Sequence, residues 1–97
     1  MHLAIDRAQL ADFCRRHGIV RLAVFGSALR SDFRAESDVD ILVAFAPGRA
    51  PGFGFFALED ELSALLGRRV DLQTAGFLSP HFRAAVIAEA EVLHVAA

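Results

Sequence analysis

The sequence predicts a small α/β (α+β) fold, with one mixed sheet of about three or four strands and helices packed against it. Three observations carry this expectation. Segments with apolar residues at helical spacing alternate with short runs at strand spacing. Glycine or proline punctuates most of the junctions between them. A length of 97 residues suits one modest core and not two, so residues 1–97 are read as a single domain.

Taken in order, Asp6 is placed to cap a first helix over about residues 7–17, with Leu10, Phe13, Cys14 and His17 on one stripe. Gly18 ends it. Residues 20–25 then alternate as a strand, Leu22 and Val24 on one face and Ala23 and Phe25 on the other. Gly26-Ser27 breaks the strand, and residues 28–30 could begin a short helix. A polar stretch, 31–37, leads to a second strand over 39–45 that is apolar on both faces, which suggests a central position. Pro47, Gly48, Pro51, Gly52 and Gly54 mark a long loop.

A second helix is expected over about 55–66. Phe55, Leu58, Leu62, Leu65 and Leu66 face inward, Glu59, Asp60 and Glu61 are mostly solvated, and Gly67 is the stop. Residues 68–73 read as a third strand. Ser79-Pro80 opens a last helix with Phe82, Ala85, Val86 and Ala90 as its apolar stripe, and 92–95 forms a closing short strand.

Composition narrows the function. Apolar residues reach 55% of the chain, above the roughly 45–50% of an average protein, and this excess hints that some apolar area meets a partner. A charged fraction of 23% argues against intrinsic disorder. All ten basic residues are arginine, yet the net charge of −2 argues against a general polyanion binder, so direct nucleic-acid binding is not expected. The single cysteine, Cys14, excludes an internal disulfide and a cysteine-cluster zinc site, and reads as a small buried hydrophobe. No apolar run approaches the ~18 residues of a membrane helix, and the first residues lack the pattern of a signal peptide. A cytoplasmic location is therefore expected.

Three local features could carry chemistry. Gly26-Ser27, where a strand breaks toward a helix start, is either an ordinary turn or a place where backbone N–H groups and a hydroxyl hold a phosphate. Asp38-Val39-Asp40 puts two carboxylates on one side of a strand, as a solvated strand entry or as hard oxygen ligands for magnesium. Asp71, between Val70 and Leu72, is either paired with Arg68 or Arg69 or faces a metal site. His81 reads as a surface or capping residue, His17 and His94 as stripe and strand residues, and His2 as part of a tail. No pair among them has metal-ligand spacing.

Ten residues separate Gly26-Ser27 from Asp38-x-Asp40. With that spacing, the stretch Val24-Phe25-Gly26-Ser27 … Ser37-Asp38-Val39-Asp40-Ile41-Leu42-Val43 resembles the minimal nucleotidyltransferase family of the polymerase-beta superfamily. The similarity spans nearly the whole chain. Val70-Asp71-Leu72 falls where the family places its third acidic residue, and Leu78-Ser79-Pro80, an Ala-rich helix and a closing Val-Leu-His-Val resemble its C-terminal end. The resemblance implies the nucleotidyltransferase fold and Mg2+-dependent nucleotidyl transfer. Asp38, Asp40 and Asp71 would be the metal ligands for two magnesium ions, and Asp71 would also help deprotonate the acceptor hydroxyl. Gly26, Ser27 and Arg30 would hold the phosphates of the nucleotide donor, ATP. Many members carry Arg directly after the Gly-Ser pair and Gly four positions after that Ser, where this chain has Ala28 and Ser31. Weaker nucleotide binding is expected from that loss.

At 97 residues the chain is expected to lack the second, acceptor-binding domain of larger relatives, so the acceptor site is expected from elsewhere. Minimal members are commonly encoded beside a helical HEPN-domain ribonuclease toxin and act as its antitoxin, transferring AMP to a toxin tyrosine. The resemblance thus implies a HEPN-toxin partner and an antitoxin role, in a homo- or hetero-oligomer. Neutralisation of the toxin by contact alone and transfer to an aminoglycoside-like small molecule are the alternatives. The segment Gly52-Phe53-Gly54-Phe55-Phe56 offers partner-facing surface, although each phenylalanine taken singly reads as core before interface.

Overall fold

A computed structural model describes residues 5–26 and 38–96. Helix α1 spans Arg7–His17. The Asp6 Oδ1 accepts hydrogen bonds from the Ala8 and Gln9 amides at 3.0 and 3.1 Å, satisfying two of the donors a helix start leaves open. Arg15, Arg16 and His17 occupy the last turn, where positive charge suits the helix dipole, and Gly18 closes it in the left-handed region at φ +70°. Strand β1, Ile19–Phe25, follows without a loop.

Strand β2 covers Val39–Phe45. A short 3-10 turn, Gly52–Gly54, leads into helix α2, Phe55–Leu66, which Gly67 terminates at φ +67°. Strand β3 is Val70–Thr74, starting two residues later and ending one residue later than the expected 68–73. A second 3-10 turn, Ala75–Phe77, helix α3, Pro80–Glu89, and strand β4, Glu91–Val95, complete the described chain.

The strands form one mixed sheet in the order β3-β2-β1-β4. β1 is antiparallel to both β2 and β4, whereas β2 and β3 run parallel. A parallel pair cannot be joined by a tight turn, and α2 supplies the crossover. The expected α/β class and the central place of β2 are both seen. Among the described residues, no helix is long and apolar enough to cross a membrane.

The core lies on one face of the sheet. Leu22, Val24, Val39, Ile41, Val43, Val70, Leu72 and Leu93 point from the strands toward Leu10, Phe13 and Cys14 of α1 and Leu58, Leu62 and Leu66 of α2, and all are buried. Each such leucine or phenylalanine contributes about 1.5–3 kcal/mol of burial. His17 stays beside the stripe as expected, half-buried with its ring tilted 56° against Phe13 at 4.8 Å, and it meets Glu61 at 3.3 Å.

The opposite face is covered sparingly. Ala23 is buried there, Leu42 is half-buried and Ala44 exposed. A cavity of about 100 Å³ separates these residues from Ile87 of α3. The stripe of α3 expected to turn inward does not do so: no residue of this helix is buried, and Phe82 is 63% exposed. The surface it faces offers small Ala23 and Ala44 and charged Arg21, with Leu42 as the one large apolar side chain of that face beside the cavity. Polar ties secure the helix: the Ser79 hydroxyl accepts from the His81 amide at 3.4 Å, and Arg83 donates to the Ala75 and Leu78 carbonyls at 2.8 and 3.2 Å.

Candidate active site

The site is assembled at the end of the sheet where β1 finishes and β2 begins. In the strand register Phe25 stands opposite Asp40, and Asp40 opposite Asp71. One row of residues therefore crosses three strands, with β2 in the middle. Parallel neighbours in register project to the same face, about 4.8 Å apart along the sheet, so the carboxylates of Asp40 and Asp71 stand side by side. Asp38 lies one residue ahead of β2, exposed, on the side of the strand that Asp40 shares by alternation. The entry is pinned by the Val39 amide, which donates to the Arg69 carbonyl at 2.9 Å. This bond sets Asp38 and Asp40 against the start of β3.

Gly26 follows the end of β1 at φ +70°, a conformation that a side chain rarely tolerates. A Cβ there would also run into the Asp40 carboxylate, meeting Oδ2 and lying 3.3 Å from Cγ. Glycine is needed twice over, for the turn and for the carboxylate that lies on it. Of the expected phosphate-side residues, Gly26 is thus brought against Asp40. Ser27 and Arg30, with Ala28, Ser31 and the helix start suggested at 28–30, lie outside the described residues, as does His2.

Asp71 is exposed, and its Oδ1 accepts from the Gln73 side-chain Nε2 at 3.0 Å. Strand alternation, which puts residues 71 and 73 on one face, is the sequence signal for this contact, which neither of the two expectations for Asp71, an arginine partner or a metal site, includes. Glu59 departs from the expected solvated face of α2. It is half-buried, and its Oε2 accepts the Leu72 amide at 2.8 Å. That contact answers an outward-facing donor of the edge strand, a need that exists only once the strand order is known. His81 is exposed at the start of α3, as expected, and Cys14 is fully buried.

A cleft of about 430 Å³ has Asp71 in its wall together with Leu72 and Gln73, and Phe55, Phe56 and Gly52 opposite. A second cleft, about 480 Å³ between the end of α1 and β4, contains none of the three aspartates and does not bear on the row. Phe53 and Phe56 are 99% and 70% exposed, so the expectation that each phenylalanine sits in the core holds only for Phe55, which packs against it.

Among the described residues no three His, Cys, Asp or Glu side chains converge closely enough to hold a metal ion by themselves. The donor set still fits magnesium. Asp40 and Asp71 present oxygen only, on adjacent rigid strands, and this cation characteristically takes one or two carboxylates, keeps several waters and shares phosphate oxygens with a substrate.

Comparison with known proteins agrees with the architecture. The model of the nucleotidyltransferase domain matches residues 7–94. The protein adenylyltransferase MntA of Thermococcus cleftensis is 43% identical over 70 residues, 71% of this chain and 69% of the relative. A solved, provisionally assigned minimal nucleotidyltransferase is 43% identical with a TM-score of 0.71, the match covering 87% of this chain and 85% of that one. The same fold, at 21% identity and a TM-score of 0.65 over 92% of this chain and 69% of the other, occurs in the complex of a tri-AMPylated Shewanella oneidensis HEPN toxin with an MNT antitoxin. Fold and domain match together define an enzyme of the nucleotidyltransferase class. The chain belongs to the minimal nucleotidyltransferase family.

Proposed function

We propose that this enzyme transfers AMP from ATP to a hydroxyl, that of a tyrosine, on a HEPN-domain ribonuclease toxin, and so acts as its antitoxin. The observation that carries the reading is the row Gly26–Asp40–Asp71. A turn whose backbone lies against one carboxylate is followed, one strand away, by a second carboxylate at the mouth of a cleft. The relatives named as protein adenylyltransferases and the AMPylated toxin in the complex of like fold support the choice of AMP and of a protein acceptor.

In this reading Gly26, with Ser27 and Arg30, holds the phosphates of ATP. Asp38, Asp40 and Asp71 would hold Mg2+, which would supply neutralisation of the charge that develops during transfer. The acceptor oxygen bonds to the α-phosphorus, the bond from that phosphorus to the α–β bridging oxygen breaks, and pyrophosphate departs. The hydroxyl proton passes to the Asp71 carboxylate. Held in place on rigid strands, the carboxylates need no rearrangement as charge develops.

Incubation with ATP, magnesium and a HEPN-domain partner tests the proposal by intact mass. The partner should gain the mass of an AMP group with the native chain and none with Asp40→Asn. An unmodified partner in both reactions would overturn it. Neutralisation by contact alone is the second reading, favoured by Ala28 and Ser31 standing where many members carry Arg and Gly. Loss of toxin neutralisation in Asp38→Asn plus Asp40→Asn rejects it, and its survival rejects catalysis as the cause.

A further inference from the structure

We propose that the cleft beside Asp71 receives the aromatic ring of the acceptor, a phenol side chain, and that Phe56 determines this specificity. The inference rests on the nucleotidyl-transfer reading above and deepens it.

The position of the cleft assigns it to the acceptor. Along the row the sequence of groups is the Gly26 turn, Asp40, Asp71 and then the cleft. In-line displacement places the attacking oxygen and the departing phosphates on opposite sides of the transferred phosphorus. With the donor's phosphates at Gly26, the attacking hydroxyl comes from the Asp71 side.

The walls assign the chemistry. Phe55 and Phe56 stand edge to face with centroids 6.4 Å apart, and Gly52 beside them leaves the space of a missing side chain. Polar groups gather on the β3 side: Asp71, Gln73, and Glu59, whose Oε2 is already engaged by the Leu72 amide. A ligand that fits is apolar and flat through its body with one hydroxyl at its tip. A phenol has that form, because its ring can add to the aromatic pair while its oxygen reaches the carboxylate. A serine or threonine hydroxyl would leave the two rings facing water. Phe56 is 70% exposed, so it contributes little to folding and is available to a ligand.

Amide NMR of the full chain tests this with three probes: N-acetyltyrosinamide, N-acetylserinamide and AMP-PNP with magnesium. The tyrosine probe is expected to shift Gly52, Phe56 and Gln73, the serine probe to leave them in place, and AMP-PNP to act on Gly26 and Asp40. Phe56→Ala should weaken binding of the tyrosine probe about threefold to tenfold, the range of one aromatic contact. Phe53→Ala, which removes a ring outside the cleft, should not. AMP-PNP shifts centred on Gly52 and Phe56 would make the cleft a base pocket and overturn the proposal, as would an equal loss in both phenylalanine variants. Should the tyrosine probe bind as described while no AMP reaches any hydroxyl, the transfer reading fails and the ring site stands.

Discussion

Helices α1 and α2 bury their stripes against one face of the sheet, whereas α3 lies over the other face with no residue buried. All three carry apolar residues at helical spacing, and α1 and α3 share the same kind of side-chain cap at the start. The difference lies in the facing surface. Leu22, Val24, Ile41 and Leu72 fill the space under α1 and α2, while Arg21, Ala23, Ala44 and a single large apolar residue, Leu42, give α3 little to grip. A stripe states that a helix has an apolar side. What covers that side is decided elsewhere in the chain or outside it.

The largest test of this contrast is a pair of truncations. Leu62→Ala, in the centre of α2, should destabilise by about 2–5 kcal/mol, as buried leucines do when a cavity is left. Phe82→Ala on α3 removes more atoms yet should stay within about 0.5 kcal/mol, the range for surface changes. Urea unfolding of both variants checks this, and comparable losses would show that α3 is packed after all.

Next in size is the alkaline response of the closed face. Burial pushes the Cys14 thiol from its ordinary 9.0 up to about 11. A pKa raised in the folded state means that its stabilising effect is complete below pH 9 and lost as pH rises toward 11. The urea midpoint of the native chain should fall across that window, and in Cys14→Ala it should fall less. A thiol reagent at neutral pH should leave Cys14 untouched in the native chain and modify it in urea.

The smallest effect separates the caps. Asp6→Ala should cost about 1 kcal/mol, because two amides lose their acceptor at the head of a helix locked to the core. Ser79→Ala removes a single longer bond of 3.4 Å from a helix that buries nothing, and thermal melts should register less than half that loss.

Much of the fold was legible because local chemistry announces it. Asp6, Gly18 and Gly67 mark the ends of α1 and α2 at the residues observed, and the short closing strand at 91–95 is present. The site was legible in part. Alternation along a strand marks residues 38 and 40, a charge inside an apolar strand marks residue 71, and the register brings 40 and 71 together. What stayed hidden depends on contacts between distant segments. Glu59 reaches an amide 13 residues away, at a strand edge that no local pattern identifies as an edge. The exposure of Phe53, Phe56 and Phe82 depends on which surfaces the fold sets beside them, and no local pattern states that.

The pairing of β2 with β3 has a consequence for quality control. Asp71 stands beside Asp40 in the one register that also sends Val70 and Leu72 into the core. Slipping β3 by a single residue would turn the carboxylate inward and both apolar side chains out to water. A misaligned pair of carboxylates is therefore also a destabilised sheet. The packing of β3 thus checks the carboxylate register: a copy with Val70 and Leu72 buried carries Asp40 and Asp71 side by side.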